Sequence, residues 1–366
     1  DTPWTAERLG EFVKVYLKDR KIFAVSNREP YVHSKVKNDI VFSVPASGMV
    51  TAIEPVMEAC GGVWLAQASG NADQETSDKN GKIQVPPDDP KYTLKRIWLK
   101  EDEQKGFYAG FCNEALWPLC HNAHVRPIFR KEDWKDYKAV NGKFAQALLA
   151  EIKDVQRPLI LVQDFHFALL PQMIKKSRPD ARVGLFWHVP WPSAEVFNIC
   201  PFNKEILEGM LGADILGFHT QQYCNNFMET VGKQIESITD FEQFSVTLRN
   251  HVTHVRPFPI SIAFSNDKDQ GADLEAAQKL LEEFDVSSEF IGLGVDRLDY
   301  TKGILERFKG VEFFFGLYPQ MEGKFTFLQI AEPSREVVEK YRQFNEEVTG
   351  EAERINNKLS KNGWAP

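Results

Sequence analysis

No stretch of this chain approaches the roughly 18 consecutive apolar residues a membrane-crossing helix needs, and the opening DTPWTAERLGEFVKVYLKDR is too charged for a secretory leader. A cytoplasmic protein with no membrane partner is the expectation. Cysteine is sparse: Cys60, Cys112, Cys120, Cys200 and Cys224 make an odd set with no close pair, which argues against a disulfide framework and a C-x-x-C zinc site. All five read as reduced and structural. Positive charge is in deficit, 44 Lys and Arg against 52 Asp and Glu, so a net charge of −8 leaves no footprint for nucleic acid. An anionic ligand would need a local cluster of cations, which favours a small phosphorylated substrate. There is no Walker-type glycine loop and no convincing carboxylate pair for a glycosidase mechanism. His121 and His124 lie close together but lack a third ligand, so no metal site is read.

What is present fits a sizeable α/β enzyme. The 366 residues, 43% hydrophobic, suffice for two domains with real cores. In FIGLGVDRLDYTKGILERF, Phe290, Ile291, Leu293 and Val295 suit a parallel strand covered on both faces. Ile304, Leu305, Phe308 and Val311 then recur at helical spacing. Arg297 and Lys302 fall in the turn between. Ligands of open α/β sheets bind beyond the carboxyl ends of strands, beside helix N-termini, so two cations there suit a phosphate or diphosphate; a pair of solvated surface charges is the alternative.

Similar strand runs recur upstream with polar residues at their ends. Lys21 to Ser26 leads to Arg28, Leu159 to Val162 leads to Asp164, and Val183 to Trp187 leads to His188 and a proline stop. Further strands are expected in Gly61 to Asp73, Asp214 to Thr220, Thr253 to Ser261 and Lys324 to Ala331. Thr5 is placed to cap an opening helix, and Pro45 to Ala52 forms a small-residue turn before an apolar helix. Gly106 to His121 reads as an aromatic core helix, Asn203 to Gly212 as a capped helix, and Ser334 as a cap with Arg335 in the first turn of the last helix. Lys82 to Lys100 alternates as a hairpin insertion with a lysine-bearing edge strand. The polar SNDKDQGAD after Ala263 marks a linker between domains 1–262 and 263–366. Ligand-type residues at strand ends on both sides of a linker imply a group-transfer enzyme with an interdomain cleft.

VDRLDYTKGILERF resembles the signature of the trehalose-6-phosphate synthases, the retaining glycosyltransferases of family 20, whose GT-B fold has two facing Rossmann-like domains with parallel sheets. The resemblance covers nearly the whole chain. It implies that Arg297 and Lys302 hold the donor diphosphate and that Arg28, in SNR-x-P, contacts the acceptor phosphate. Gly48 carries over as a donor contact, with Ser47 where the family reads glycine. Tyr108 and Trp117 would line the acceptor sugar, and Arg335 would reach the acceptor phosphate across the cleft. His188, within H-[IV]-P-[FW]-P, takes the donor-sugar position. Asp164, within D-[YF]-H, would bond hydroxyl groups in the active site, and His219 reads as structural. A Trp that many members carry near the acceptor is replaced here at about Gln67 or Ala68.

The implied reaction moves glucose from a nucleotide-glucose, UDP-glucose being favoured, to glucose 6-phosphate, giving trehalose 6-phosphate with no metal and no cofactor. His188, Asp164, Arg297 and Lys302 would be the catalytic set. A transferase using glycerol phosphate or an amino-cyclitol phosphate, and a non-catalytic sugar-phosphate or nucleotide-binding homologue, are the alternatives; a homo-oligomer stays open. The family's second domain needs more strands than follow the motif here, so an incomplete second domain is expected.

Overall fold

Continuous apolar runs make the central strands, because a parallel strand buried on both faces has no use for polar alternation. The computed structural model describes residues 4–17, 20–45, 47–123, 125–261, 274–284, 286–333, 335, 338–361 and 363–366. His124, Ser334 and the polar linker lie outside them. The chain divides into two units, Asp1–Ile262 and Ala263–Pro366.

The first unit carries strands β1 (Ile22–Arg28), β2 (Val32–Val36), β3 (Asp39–Ser43), β4 (Val63–Gln67), β5 (Lys82–Val85), β6 (Tyr92–Ile97), β7 (Leu159–Gln163), β8 (Arg182–Phe186), β9 (Ile215–Phe218), β10 (Ile238–Asp240), β11 (Ser245–Leu248) and β12 (His251–Pro257). Ten form one sheet in the order β10-β11-β12-β9-β8-β7-β1-β4-β6-β5, while β2 and β3 make a separate hairpin. β1 runs parallel to both β4 and β7, so the winding of the sheet reverses between β1 and β7. That reversal is where a doubly wound sheet opens a crevice at its carboxyl edge.

Alternate residues of β1 serve opposite faces. Ile22 and Ala24 join Trp64, Tyr92 and Leu94 beneath the helices Ala6–Leu17 and Gly48–Cys60, with Val13, Val50 and Met57 as the covering residues. Phe23 and Val25, also fully buried, serve the other face. Thr5 does cap the first helix, its Oγ1 accepting the Arg8 amide at 3.2 Å.

The second unit holds β13 (Phe290–Arg297) and β14 (Phe325–Glu332), parallel in register and joined through the helix Ile304–Leu317. The helix Glu339–Leu359 follows, and Leu298, Ile304, Phe344 and Val348 form the core.

Several expectations are corrected. Lys82 to Lys100 is a hairpin but no insertion: β6 pairs with β4 as well as β5 and so extends the main sheet. The helix expected as capped over Asn203 to Gly212 runs Asn203–Met210, and Phe202 at its cap position makes no side-chain cap bond. The expected helix around Gly106 to His121 is π-helical from Lys105 to Leu116 before a short α-helix from Trp117 to His121. β13 is not covered on both faces, since Leu293 and Val295 remain 62% and 64% exposed. Arg335 precedes the last helix, which is capped at Val338, and takes a left-handed φ of 54°.

Candidate functional site

The carboxyl edge of the first sheet gathers Arg28 at the end of β1, Asp164 after β7 and His188 after β8. Asp164 has φ 73° and ψ 170°, a region open essentially to glycine, which costs of order 1–3 kcal/mol and clusters at functional sites. Two backbone donors help hold it there: its Oδ1 accepts the amides of Phe165 at 2.9 Å and His188 at 3.1 Å. One carboxylate oxygen thus ties the ends of two neighbouring strands.

His188 is half-buried, and its Nε2 donates to Gln163 Oε1 at 2.9 Å. That bond leaves Nδ1 with a lone pair to accept a ligand hydroxyl. Burial first, and the neighbouring His219 second, lower the His188 pKa to about 3, so the ring is neutral at physiological pH. His219 Nε2 donates to the His188 carbonyl at 3.0 Å, which agrees with its structural reading. Beside His188 lies an apolar groove of about 540 Å³ lined by Ile53, Val56, Gln163, Phe186 and Ile215.

Tyr108 and Trp117 come to the same strand end by way of the π-helix. Nine residues make two and a half turns of an α-helix and would put the two rings on opposite sides. The wider turn of i→i+5 bonding brings that spacing close to two full turns. Tyr108 stacks on His166 at 5.9 Å, and buried Trp117 packs on His121 at 4.0 Å and near Phe165 at 6.0 Å. Phe165 and His166 are the residues just after Asp164.

Gly48 opens the helix Gly48–Cys60, and Ser47 is its cap, with Oγ accepting the Val50 amide at 3.4 Å. A hydroxyl that satisfies a helix-start donor is a physical reason for serine there.

In the second unit Arg297 ends β13, opposite Glu332. Exposed Lys302 ends a 3-10 turn, and Gly303, with φ 65°, starts the following helix. The organiser is Asp299, fully buried and not recognised in the sequence. Its Oδ1 accepts Thr301 N at 3.0 Å and Thr301 Oγ1 at 2.9 Å, fixing the Lys302 turn. Its Oδ2 accepts Arg335 Nη1 at 2.9 Å, and Arg335 also donates to Tyr341 Oη. Arg335 is therefore held beside the Lys302 turn within its own unit.

A second cluster missed in the sequence lies behind Arg28. Arg96 of β6 is fully buried, with Nε donating to Glu29 Oε2 at 2.8 Å and Nη2 to Asp73 Oδ1 at 2.9 Å. A basic residue in an alternating hairpin carries no signal for this, because Glu29 and Asp73 reach it only after β1, β4 and β6 align.

The five cysteines are free thiols, and burial pushes Cys200 up to about 12 and Cys224 to about 11, as expected of inert residues. Among the described residues no helix is long and apolar enough to cross a membrane, and no group of three His, Cys, Asp or Glu side chains could hold a metal.

A doubly wound sheet with polar residues at its switch point, and a second unit with a parallel strand pair and cations after a strand, place the chain in the α/β class. The family described as glycosyltransferase family 20 matches residues 20–366, and the chain belongs to it; the fold is of the GT-B type. It is 31% identical to the alpha,alpha-trehalose-phosphate synthase (UDP-forming) of Schizosaccharomyces pombe, over 95% of this chain and 67% of that protein. Identity is also 31% to the bifunctional trehalose-6-phosphate synthase/phosphatase of Thermoproteus tenax, over 94% of this chain and 47% of that protein. A solved E. coli protein bound with UDP-2-fluoro glucose superposes with a TM-score of 0.78 at 29% identity, over 94% of this chain and 72% of that one. The chain thus spans less than half the length of one curated relative and about two thirds of another.

Proposed function

We propose that this chain forms the substrate-binding part of a retaining glucosyltransferase that moves glucose from UDP-glucose to glucose 6-phosphate, giving trehalose 6-phosphate. The observation that carries this reading is the strained Asp164, tied to His188 and flanked by Arg28 and the Tyr108–His166 stack at the switch point of the sheet. Arg28 is the contact for the acceptor phosphate, and the aromatic rings give faces for sugar C–H surfaces. Asp164 accepts from sugar hydroxyls, and neutral His188 accepts from a hydroxyl of the reacting glucose. Arg297 and Lys302 hold the donor diphosphate and stabilise the charge that grows on it as its bond to the glucose anomeric carbon breaks. The acceptor oxygen bonds to that carbon from the same face, and its proton passes to the departing phosphate oxygen. With charge carried by these cations, the reading asks for no metal or cofactor. Arg335 is the second proposed contact for the acceptor phosphate.

The test is a product assay on the complete natural protein, with uridine, adenosine and guanosine diphosphate glucose against glucose 6-phosphate, glycerol phosphate and an amino-cyclitol phosphate. Trehalose 6-phosphate formed from UDP-glucose is expected. Thermal stabilisation by nucleotide with no product from any pair would replace the enzyme reading with a binding one.

A further inference from the structure

We infer that Arg96 and Glu29 are positioning residues for the phosphate end of the sugar-phosphate substrate, fixing the strand end that carries Arg28 against the loop at Ser69 and Gly70. The inference rests on the acceptor reading of Arg28 given above.

The geometry runs through the chain neighbours of Arg28. Its carbonyl accepts Ser26 Oγ at 2.7 Å, and that hydroxyl in turn accepts Trp64 Nε1 at 2.8 Å, where the pairing of β1 with β4 is interrupted by a bulge between Ser26 and Arg28. On the other side Glu29 is fully buried, with Oε1 accepting Ser69 N and Oγ, both at 2.8 Å. Asp73 takes the Gly70 amide at 2.7 Å and the His33 amide at 2.9 Å. Arg96 joins both carboxylates and also donates to Tyr31 O, Asp73 O, Thr76 Oγ1 and Ser77 Oγ. Arg28 therefore sits on backbone anchored on either side, and one guanidinium ties the turn between β1 and β2 to the connection from β4 to β5.

Burying such charges is expensive, and apolar packing of the same volume is often at least as stable. A placing role explains their presence better than stability does. The charged groups facing Glu29 are Arg96 from β6 and Asp73 from the turn Asp73–Thr76, and His33 from β2 meets the cluster through those two. His33 Nδ1 lies 2.7 Å from Arg96 Nη2 and must accept, so His33 is neutral, as burial and Arg96 also favour. Burial, then the Asp73 carboxylate, push Glu29 up to about 7 against the pull of Arg96. Ionising Glu29 as pH rises through that value adds one negative charge at the residue next to Arg28. A sugar phosphate should then bind less well as pH rises, relative to a variant that cannot ionise.

The experiment measures KM for glucose 6-phosphate and for UDP-glucose at about pH 6 and pH 8 in the complete natural protein, in wild type, Glu29→Gln and Arg96→Lys, with Arg28→Ala as reference. Arg96→Lys should raise the sugar-phosphate KM about tenfold and leave the donor KM within about twofold. The ratio of wild-type to Glu29→Gln sugar-phosphate KM should change about threefold between the two pH values; the phosphate's own ionisation is common to both and cancels. Should Arg96→Lys fail to fold, the Glu29→Gln ratio decides alone. Equal movement of both KM values, or a lower Tm with neither KM changed, overturns the inference. If Arg28→Ala leaves the sugar-phosphate KM unmoved, the acceptor reading has failed and the inference falls with it. If Arg28→Ala raises that KM while the other two variants do not, the inference fails alone.

Discussion

β1 and β13 are both short apolar parallel strands that end in an arginine, yet they live in different surroundings. β1 is paired on both edges, and Ile22 to Ser26 are buried without a break. β13 is paired to β14, and Phe290, Ile291, Leu293 and Val295 stay 40–64% exposed. An apolar run thus specifies a strand but not its cover, because cover comes from elements distant in sequence. The difference reaches the chemistry. Arg28 springs from a strand end fixed by buried side chains, whereas Lys302 depends on one buried carboxylate, Asp299, for the shape of its turn.

The largest expected effect tests β1 as a core strand. Phe23→Ala should cost about 3–5 kcal/mol in denaturant unfolding, through lost burial plus a cavity. A loss below about 1 kcal/mol would put β1 on the same footing as β13. Next comes the chemistry of the second unit: Arg297→Ala or Lys302→Ala should lower kcat about 10²–10³-fold in the complete natural protein, the usual loss of one preorganised charge stabiliser. Unchanged turnover in both would remove the donor site from the end of β13.

A pH experiment separates the strand ends further. The folded pKa of His188 lies near 3, below the ordinary 6.5, so between those values the unfolded chain binds more protons. Stability from this group is complete above about 6.5 and is lost as pH falls toward 3. His188→Gln should flatten the fall of the urea midpoint over that window, and it should also lower kcat more than either KM; an unchanged acid profile would mean that the ring is hydrated. The smallest effect is expected in β13, where Leu293→Ser should stay within about 0.5 kcal/mol. A loss of several kcal/mol would show that this face is covered in solution.

Much of the fold was legible because the central strands advertise themselves. The runs ending at Arg28, Asp164, His188 and Arg297 needed only their apolar character and the polar residue that follows. The hairpin of β2 and β3 was missed: every residue of β3 is exposed, so no burial pattern marks it. β10 and β11, short and partly exposed strands at one end of the sheet, were missed as well. Of the candidate site, the residues at strand ends were readable, while their supports were not. Asp299, Glu29 and Arg96 look like ordinary surface charges until the fold removes water from around them.

The sequence by itself determined the alternating β/α pattern, the family motif from Val295 to Phe308, and which polar residues sit beyond which strands, since all of these depend on neighbours within a few positions. Tertiary structure alone decided that Asp164 would be held in a glycine-like conformation by the His188 amide, and that a widened helix would set Tyr108 and Trp117 about two turns apart. It also decided that Arg96 would be buried between two carboxylates. The first and last of these join residues from separate strands and turns, and their energies arise only when sheet pairing brings those segments together and excludes water.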